Sequence, residues 1–325
     1  MEKRRLGWTE LELTSVGLGT WAIGGPGLKF SWGPQDDRES VRTIRHALEL
    51  GINWIDTAAV YGLGHSETVV GQALRGLDEK PIVATKCCRV SDGAGGATFR
   101  FDRASVRAEA EASLKRLGVE RIDLYQIHHP GEGDSFLEAW ETIADLVREG
   151  KVRYGGVSNF SREQVERALK IHPVASLQPP YSLLRRDIES GLLEFCGANR
   201  IGVVAYSPMQ KGILTDKFTR DWVAGLPADD HRRNDPRFQG LALEVNLDFV
   251  ARLREIAAAG NLTIGQLAIA WVLRRTEVTA AIVGARHPYQ IEETVQASGR
   301  ALTPREIEAV GRLLSEFESD ERLKV

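Results

Sequence analysis

The stretch VGLGTWAIGG, Val16 to Gly25, carries a G-x-G-x-x-A pattern at Gly17, Gly19 and Ala22. In a doubly wound sheet this fingerprint is a glycine-rich turn that presents helix N–H groups to a dinucleotide pyrophosphate. That reading needs a helix directly after the glycines and an acidic residue closing a second strand. Neither is here. AIGGPGLKF follows, with more glycines and Pro26, and the nearest acids sit in DDRES, at a loop or helix start. The stretch reads instead as the end of a barrel strand, Gly17 to Thr20, with Trp21 at the mouth.

Outward from Val16, short apolar runs alternate with amphipathic stretches at roughly 30–40 residues, the length of a strand–helix unit. The expected strands are SVGLGT, NWIDTA, PIVATK, IDLYQIH, YGGVSN, VASLQP, GVVAYS and AAIVGA. Several are near-continuous in apolar residues, as strands covered on both faces are. SVRTIRHALELG puts Val41, Ile44, Ala47 and Leu48 on one helical stripe before Gly51. RASVRAEAEASLKRLG does the same with Val106, Ala110, Leu114 and Leu117 before Gly118. FLEAWETIADLVREG ends at Gly150, and SREQVERALK opens on Ser161 as N-cap.

Eight such units predict an α/β fold, a (β/α)8 TIM barrel of parallel strands with right-handed crossovers; an open doubly wound sheet is the alternative. RRLGWTELEL predicts a short N-terminal β-hairpin closing the barrel bottom. TPREIEAVGRLLSEFE predicts an extra C-terminal helix, with Thr303 as N-cap, Pro304 at N1 and Glu306 at N3. The expectation is one domain over residues 1–325. The connection from about Leu214 to Leu247 is long enough to serve as a lid or binding loop.

A formal net charge of −3, with the arginines scattered, gives no electrostatic reason to expect nucleic acid or an acidic membrane as partner. Cys87 and Cys88 are adjacent, an unfavourable spacing for a disulfide, and with Cys196 they form no C-x-x-C. Reduced thiols and a cytoplasmic location are expected. The basic start MEKRR is not followed by an apolar signal segment, and no apolar run is long enough to span a bilayer. His128 and His129 stand outside any H-x-H or H-E-x-x-H pattern, so no metal site is expected.

In a parallel barrel the C-terminal strand ends meet at one mouth. NWID ends in Asp56, PIVATK in Lys86 and IDLYQIH in His128, while Tyr61 follows Asp56 in a short loop. A phenol with its ordinary pKa of about 10 is a poor acid at neutral pH, and a nearby ammonium is expected to stabilise its anion and lower that value. Asp56 can hold Lys86 charged, and His128 can bind a substrate oxygen opposite Tyr61 or help pass the proton. The set suits protonation of a carbonyl oxygen while a cofactor delivers hydride.

GLGTW, IDTAAVYG, ATK, RIDLYQIHHP, GKVRYGGVSNF, LQPPYSLL, AYSPMQKGIL and IVGARHPYQIEE together resemble the aldo-keto reductases, in that family's order and spacing along nearly the whole chain. The likeness is to bacterial members near the stress-protein and sugar-reductase branches. The resemblance implies NADPH/NADP+ extended across the mouth and the catalytic tetrad Asp56, Tyr61, Lys86 and His128. It puts Gly19, Thr20 and Trp21 near the nicotinamide, with Ser158, Asn159 and Gln178 on its carboxamide and Tyr206 stacked on its ring. Ser207, Pro208, Met209, Gly212, Leu214 and Lys217 match the pyrophosphate-binding stretch. Gly284 and Arg286 match the 2′-phosphate site, and Gln290 and Glu293 the adenine side. Trp21, Phe30, Trp32, Tyr61, His128 and His129 would wall a pocket for a small carbonyl or alcohol substrate.

Two departures accompany the match: Thr294 replaces the Asn of many relatives, and His129 replaces an aromatic. The loops 26–37, 92–100 and about 215–245 would set substrate choice. Relatives resembling potassium-channel β-subunits supply the alternative, a cofactor-binding regulatory subunit.

Overall fold

The computed structural model describes residues 1–26 and 28–323. Gly27, inside the 26–37 loop, and residues 324–325 of the expected domain lie outside the described residues. The chain opens with an antiparallel pair, β1 (Lys3–Arg5) and β2 (Glu12–Thr14). Three barrel strands follow, β3 (Val16–Gly19), β4 (Trp54–Asp56) and β5 (Ile82–Cys87). A second antiparallel pair, β6 (Arg89–Ser91) and β7 (Ala97–Phe99), rises from the end of β5. The barrel resumes with β8 (Ile122–Ile127), β9 (Val152–Ser158), β10 (Ser176–Gln178), β11 (Gly202–Ala205) and β12 (Val278–Gly284). All eight barrel pairings are parallel, and β12 closes on β3.

Six helices connect the barrel strands up to β11: α1 (Asp37–Glu49), α2 (His65–Leu74), α3 (Arg103–Leu117), α4 (Leu137–Arg148), α5 (Arg162–Leu169) and α6 (Leu192–Ala198). Between β11 and β12 lie α7 (Arg220–Ala224), α8 (Gly240–Ala259) and α9 (Ile264–Leu273). The chain then forms α10 (Pro288–Val295) and α11 (Pro304–Glu318). Local chemistry sets the starts. Asp36 and Asp102 accept from N–H groups of α1 and α3, and Ser161–Gln164 and Thr303–Glu306 form reciprocal capping boxes. The expected 214–247 loop is shorter than the sequence suggested, because α8 begins at Gly240. Its N-cap, Gln239, makes no side-chain cap bond, so no start signal marks it.

Two apolar layers hold the barrel. The outer one lies between strands and helices. The inner one fills the barrel with Trp54, Leu124, Val204 and Ile282, and the N-terminal hairpin plugs its bottom with Leu6, Leu11 and Leu13. Here the opening glycines find their use. A Cβ on Gly17 would collide with the Trp54 ring, and one on Gly19 would lie 2.5 Å from Ile282 Cγ2. Trp54 Nε1 donates to Thr14 O at 2.9 Å, fixing the ring in that space. The glycines therefore make room inside a barrel, and the short turn Trp21–Ile23 after them is not a phosphate-binding helix. Among the described residues no single helix is long and apolar enough to cross a membrane.

Candidate active site

Asp56 ends β4, Lys86 lies one residue from the end of β5, and His128 follows β8; these three strands are neighbours in the barrel. Tyr61 opens the short turn Tyr61–Gly64, in which Gly62 has φ 59° and its Cα faces the Gly24 carbonyl too closely for a side chain. Lys86 Nζ donates to Asp56 Oδ1 at 2.5 Å and to Thr57 O at 2.9 Å, with both side chains almost wholly buried. The second oxygen, Asp56 Oδ2, accepts from Gln178 Nε2 at 2.8 Å and Gln126 Nε2 at 3.5 Å. The ammonium lies 5.2 Å from the Tyr61 ring centre. The His128 ring meets Tyr61 edge-on at 5.7 Å, and the Trp21 ring lies nearly parallel to it at 6.3 Å.

The electrostatics follow from this burial. Burial works against the Lys86 ammonium, but Asp56, then Tyr61, outweigh it and hold its pKa above the ordinary range. Burial raises the Tyr61 phenol, and the Lys86 charge opposes that rise without cancelling it. The expected net lowering of the phenol is thus corrected: removing the phenolate from water costs more than the ammonium returns. Burial, then the charges of Lys86, His129 and Arg89, push His128 well below its ordinary value. Burial and then Arg89 bring His129 down to about 4. Both imidazoles are therefore neutral at pH 7.

These residues open into a cleft of about 600 Å³ across the barrel mouth. Gly19, Thr20, Trp21, Phe30, Trp32 and His129 line it on the β3 and β8 side. Ser158, Asn159, Gln178 and Tyr206 line it next to Asp56, and Ser207, Pro208, Met209, Gly212 and Lys217 carry it on. Gly284, Arg286 and Gln290 close its far end. A roof lies over the mouth. Trp32 stands edge-on to Trp21 at 5.4 Å, and the Arg232 guanidinium sits between Trp32 (4.5 Å) and Trp222 (4.8 Å), held by Asp230.

The sequence model of the Aldo/keto reductase family matches residues 15–314. The chain belongs to the aldo/keto reductase family. It is 36% identical over 324 residues to aldo-keto reductase YhdN of Bacillus subtilis (strain 168), spanning 98% of this chain and 96% of that protein. It is 37% identical over 311 residues to the NADH-specific methylglyoxal reductase of Escherichia coli (strain K12), spanning 91% and 93% of the two. A glycerol dehydrogenase from Gluconobacter oxydans shares the fold with a TM-score of 0.87 and 38% identity, over 97% of this chain and 95% of that one. The holo form of an aldo-keto reductase from Bacillus halodurans gives a TM-score of 0.79 and 27% identity, over 96% of each chain.

Aldo/keto reductases use nicotinamide cofactors, and the lining of this cleft is chemically suited to one. Gln178 donates from Nε2 to Asp56 and to Gln126 Oε1, so its Oε1 stays available among the described residues. Tyr206 donates to Asn159 Oδ1 at 2.8 Å, and Asn159 Nδ2 donates to His128 O at 3.0 Å, so both are held in place. Ser207, Gln210 and Lys211 all have positive φ, the kind of backbone that forms anion-binding concavities.

Two expected contacts of this aldo/keto reductase lie off the cleft wall. Leu214 is fully buried in the outer core, and its N–H is used on Met209 O at 3.1 Å. Glu293 sits where α10 meets α9, its carbonyl accepting from Gln266. Thr294 turns its hydroxyl back to Gln290 O at 3.0 Å within α10. Arg286 reaches Gln35 Oε1 at 2.7 Å, Trp32 O at 3.3 Å and Pro34 O, tying the far end of the cleft to the 26–37 loop.

Sequence reasoning missed Gln126, Arg89, Lys211 and Arg232. A signal existed for Gln126, a lone amide inside the apolar run IDLYQI. None existed for Arg89: it opens β6, whose partner β7 lies inside the expected 92–100 loop.

Proposed function

We propose that this aldo/keto reductase is an NADPH-dependent oxidoreductase that reversibly reduces small aldehydes or ketones, sugars included, to alcohols. The observation that carries the reading is the buried Lys86–Asp56 pair set beside the Tyr61 phenol at the cleft floor. A bound nicotinamide supplies the hydride. Tyr61 donates its proton to the carbonyl oxygen, and the phenolate it leaves is stabilised by the adjacent ammonium. Asp56 and Thr57 O keep that ammonium charged and aimed. Neutral His128 offers a ring N–H to the same carbonyl oxygen and cannot compete with Tyr61 as a charged acid.

Ser158, Asn159 and Gln178 would hold the carboxamide, Tyr206 the nicotinamide face, and the turn 207–212 with Lys217 the pyrophosphate. The preference for NADPH rests on Arg286, whose guanidinium retains N–H groups beyond its bonds to the 32–35 segment. Because one relative is named NADH-specific, the test compares both cofactors. Purified protein is given NADPH or NADH with a panel of small carbonyls, and nicotinamide absorbance is followed. Turnover with NADPH preferred is expected, and Arg286→Ala should reduce that preference by about tenfold, the worth of one charge-assisted contact. Absence of both turnover and cofactor binding overturns the reading.

A further inference from the structure

Arg89 is the first residue of β6, directly after Cys88, whose φ of 69° turns the chain sharply off the end of β5. The turn is fixed by Arg100 N donating to Cys88 O and by the pairing of Arg89 with Phe99. The side chain is half-buried on the cleft wall, and its guanidinium lies 4.7 Å from the Phe30 ring centre. The other buried or half-buried arginines around the barrel have polar partners: Arg116 pairs with Glu67, Arg232 with Asp230 and Arg274 with Glu189, while Arg286 donates to Gln35 and two backbone carbonyls. Among the described residues Arg89 makes no ion pair and donates no side-chain hydrogen bond; the groups acting on its charge are Tyr61 and Tyr206. A half-buried guanidinium facing a cavity with no anion is costly unless a ligand supplies one.

The place of Arg89 says which ligand. Its charge is felt at Tyr61, Tyr206, His128 and His129, the end of the cleft where a carbonyl would react. The other cations of the cleft already have contacts of their own: Lys211 with Asp235, Arg232 with Asp230, Lys217 with Tyr289, Arg286 with the 32–35 segment. We infer that Arg89 is a specificity residue that binds an anionic group, carboxylate or phosphate, carried by the carbonyl substrate. The inference rests on the proposed reductase reading. Phe30 supports the plane of the guanidinium, leaving its N–H edge for a planar carboxylate or a phosphate.

The test uses matched pairs at saturating cofactor: butanal against succinic semialdehyde, and glyceraldehyde against glyceraldehyde 3-phosphate. The wild type should favour the anionic member of at least one pair by about tenfold or more in kcat/KM, mostly through KM. The pair that shows the preference tells carboxylate from phosphate. Arg89→Met should bring that ratio close to one, and Arg89→Lys should restore part of it. If the wild type turns over carbonyls but prefers the neutral member of both pairs, the inference fails and the reductase reading stands.

A readout without turnover separates the two further. Tryptophan fluorescence of the cofactor-saturated protein is titrated with succinate and with inorganic phosphate. One of the anions should bind about tenfold more weakly to Arg89→Met. Equal affinities in wild type and variant overturn the inference whatever the activity.

Discussion

Tyr61 stands between two opposed influences, burial that disfavours its anion and the Lys86 charge that favours it. Its role is tested by Tyr61→Phe, which keeps the ring against Trp21 and His128 and removes only the proton. Turnover should fall by about 10²–10⁴-fold, the worth of a positioned acid, while cofactor affinity stays within about twofold. A variant that retains turnover would remove Tyr61 from the chemistry.

The pair beneath Tyr61 makes a second prediction at this scale. Lys86→Met leaves Asp56 as an uncompensated buried charge and should destabilise the protein by about 3–5 kcal/mol. Adding Asp56→Asn should return much of that, because neither charge is then stranded; denaturant unfolding of the singles and the double reads the difference. These residues were legible because a polar residue ending an apolar run has a single plausible location in a barrel, the mouth. Gln126 left a weaker mark, a lone amide inside an apolar run rather than at its end, and Arg89 left none, since it depends on a left-handed turn at Cys88 that composition does not show.

At the scale of elements, the strands were readable because each is covered on both faces and so nearly all apolar. The G-x-G of β3 shows where such reading turns on a partner far along the chain. Whether those glycines approach a phosphate or a side chain is decided by Trp54, which is 37 residues beyond Gly17 in the sequence and reaches it only once β3 and β4 pair. Gly17→Ala should therefore cost about 1–3 kcal/mol by overpacking the barrel interior. In combination with Trp54→Leu the two changes should cost less than the sum of the singles, since the smaller side chain vacates the space. Strict additivity would mean that Gly17 is not there to admit the ring. The hairpin β6–β7 and the start of α8 escaped notice for a related reason. The turn DGAGG looks like any flexible loop, and Gln239 gives α8 no capping signature.

At the scale of the whole molecule, burial of titratable groups around the mouth sets how stability depends on pH. His231, under the roof, is brought to about 4, first by burial and then by Lys211, and His129 is likewise at about 4. Against an ordinary imidazole near ~6.5, the unfolded chain binds protons that the folded one refuses. Stability from these groups is complete above about pH 6.5 and is lost as pH falls toward about 4. Glu109 opposes them. Burial, relieved only in part by the Cys88 N–H and Ser105, raises it to about 7, so the folded state binds a proton that the unfolded carboxyl has released. That group gains stability as pH falls from about 7 toward ~4.5.

His128 stands with the other imidazoles, so the losing side is larger. The wild type should lose on the order of 2 kcal/mol between pH 7 and pH 5, a few degrees in Tm for a chain of this size. Glu109→Gln removes the opposing group and separates the terms. It should raise Tm at pH 8, where the wild-type carboxylate is buried and charged, and lie close to the wild type near pH 4.5. Its fall between pH 7 and pH 5 should be about twice that of the wild type. Scanning calorimetry across that range reads all three. A variant curve parallel to the wild type would show that Glu109 titrates as an ordinary carboxyl, and that the Cys88 N–H satisfies it fully.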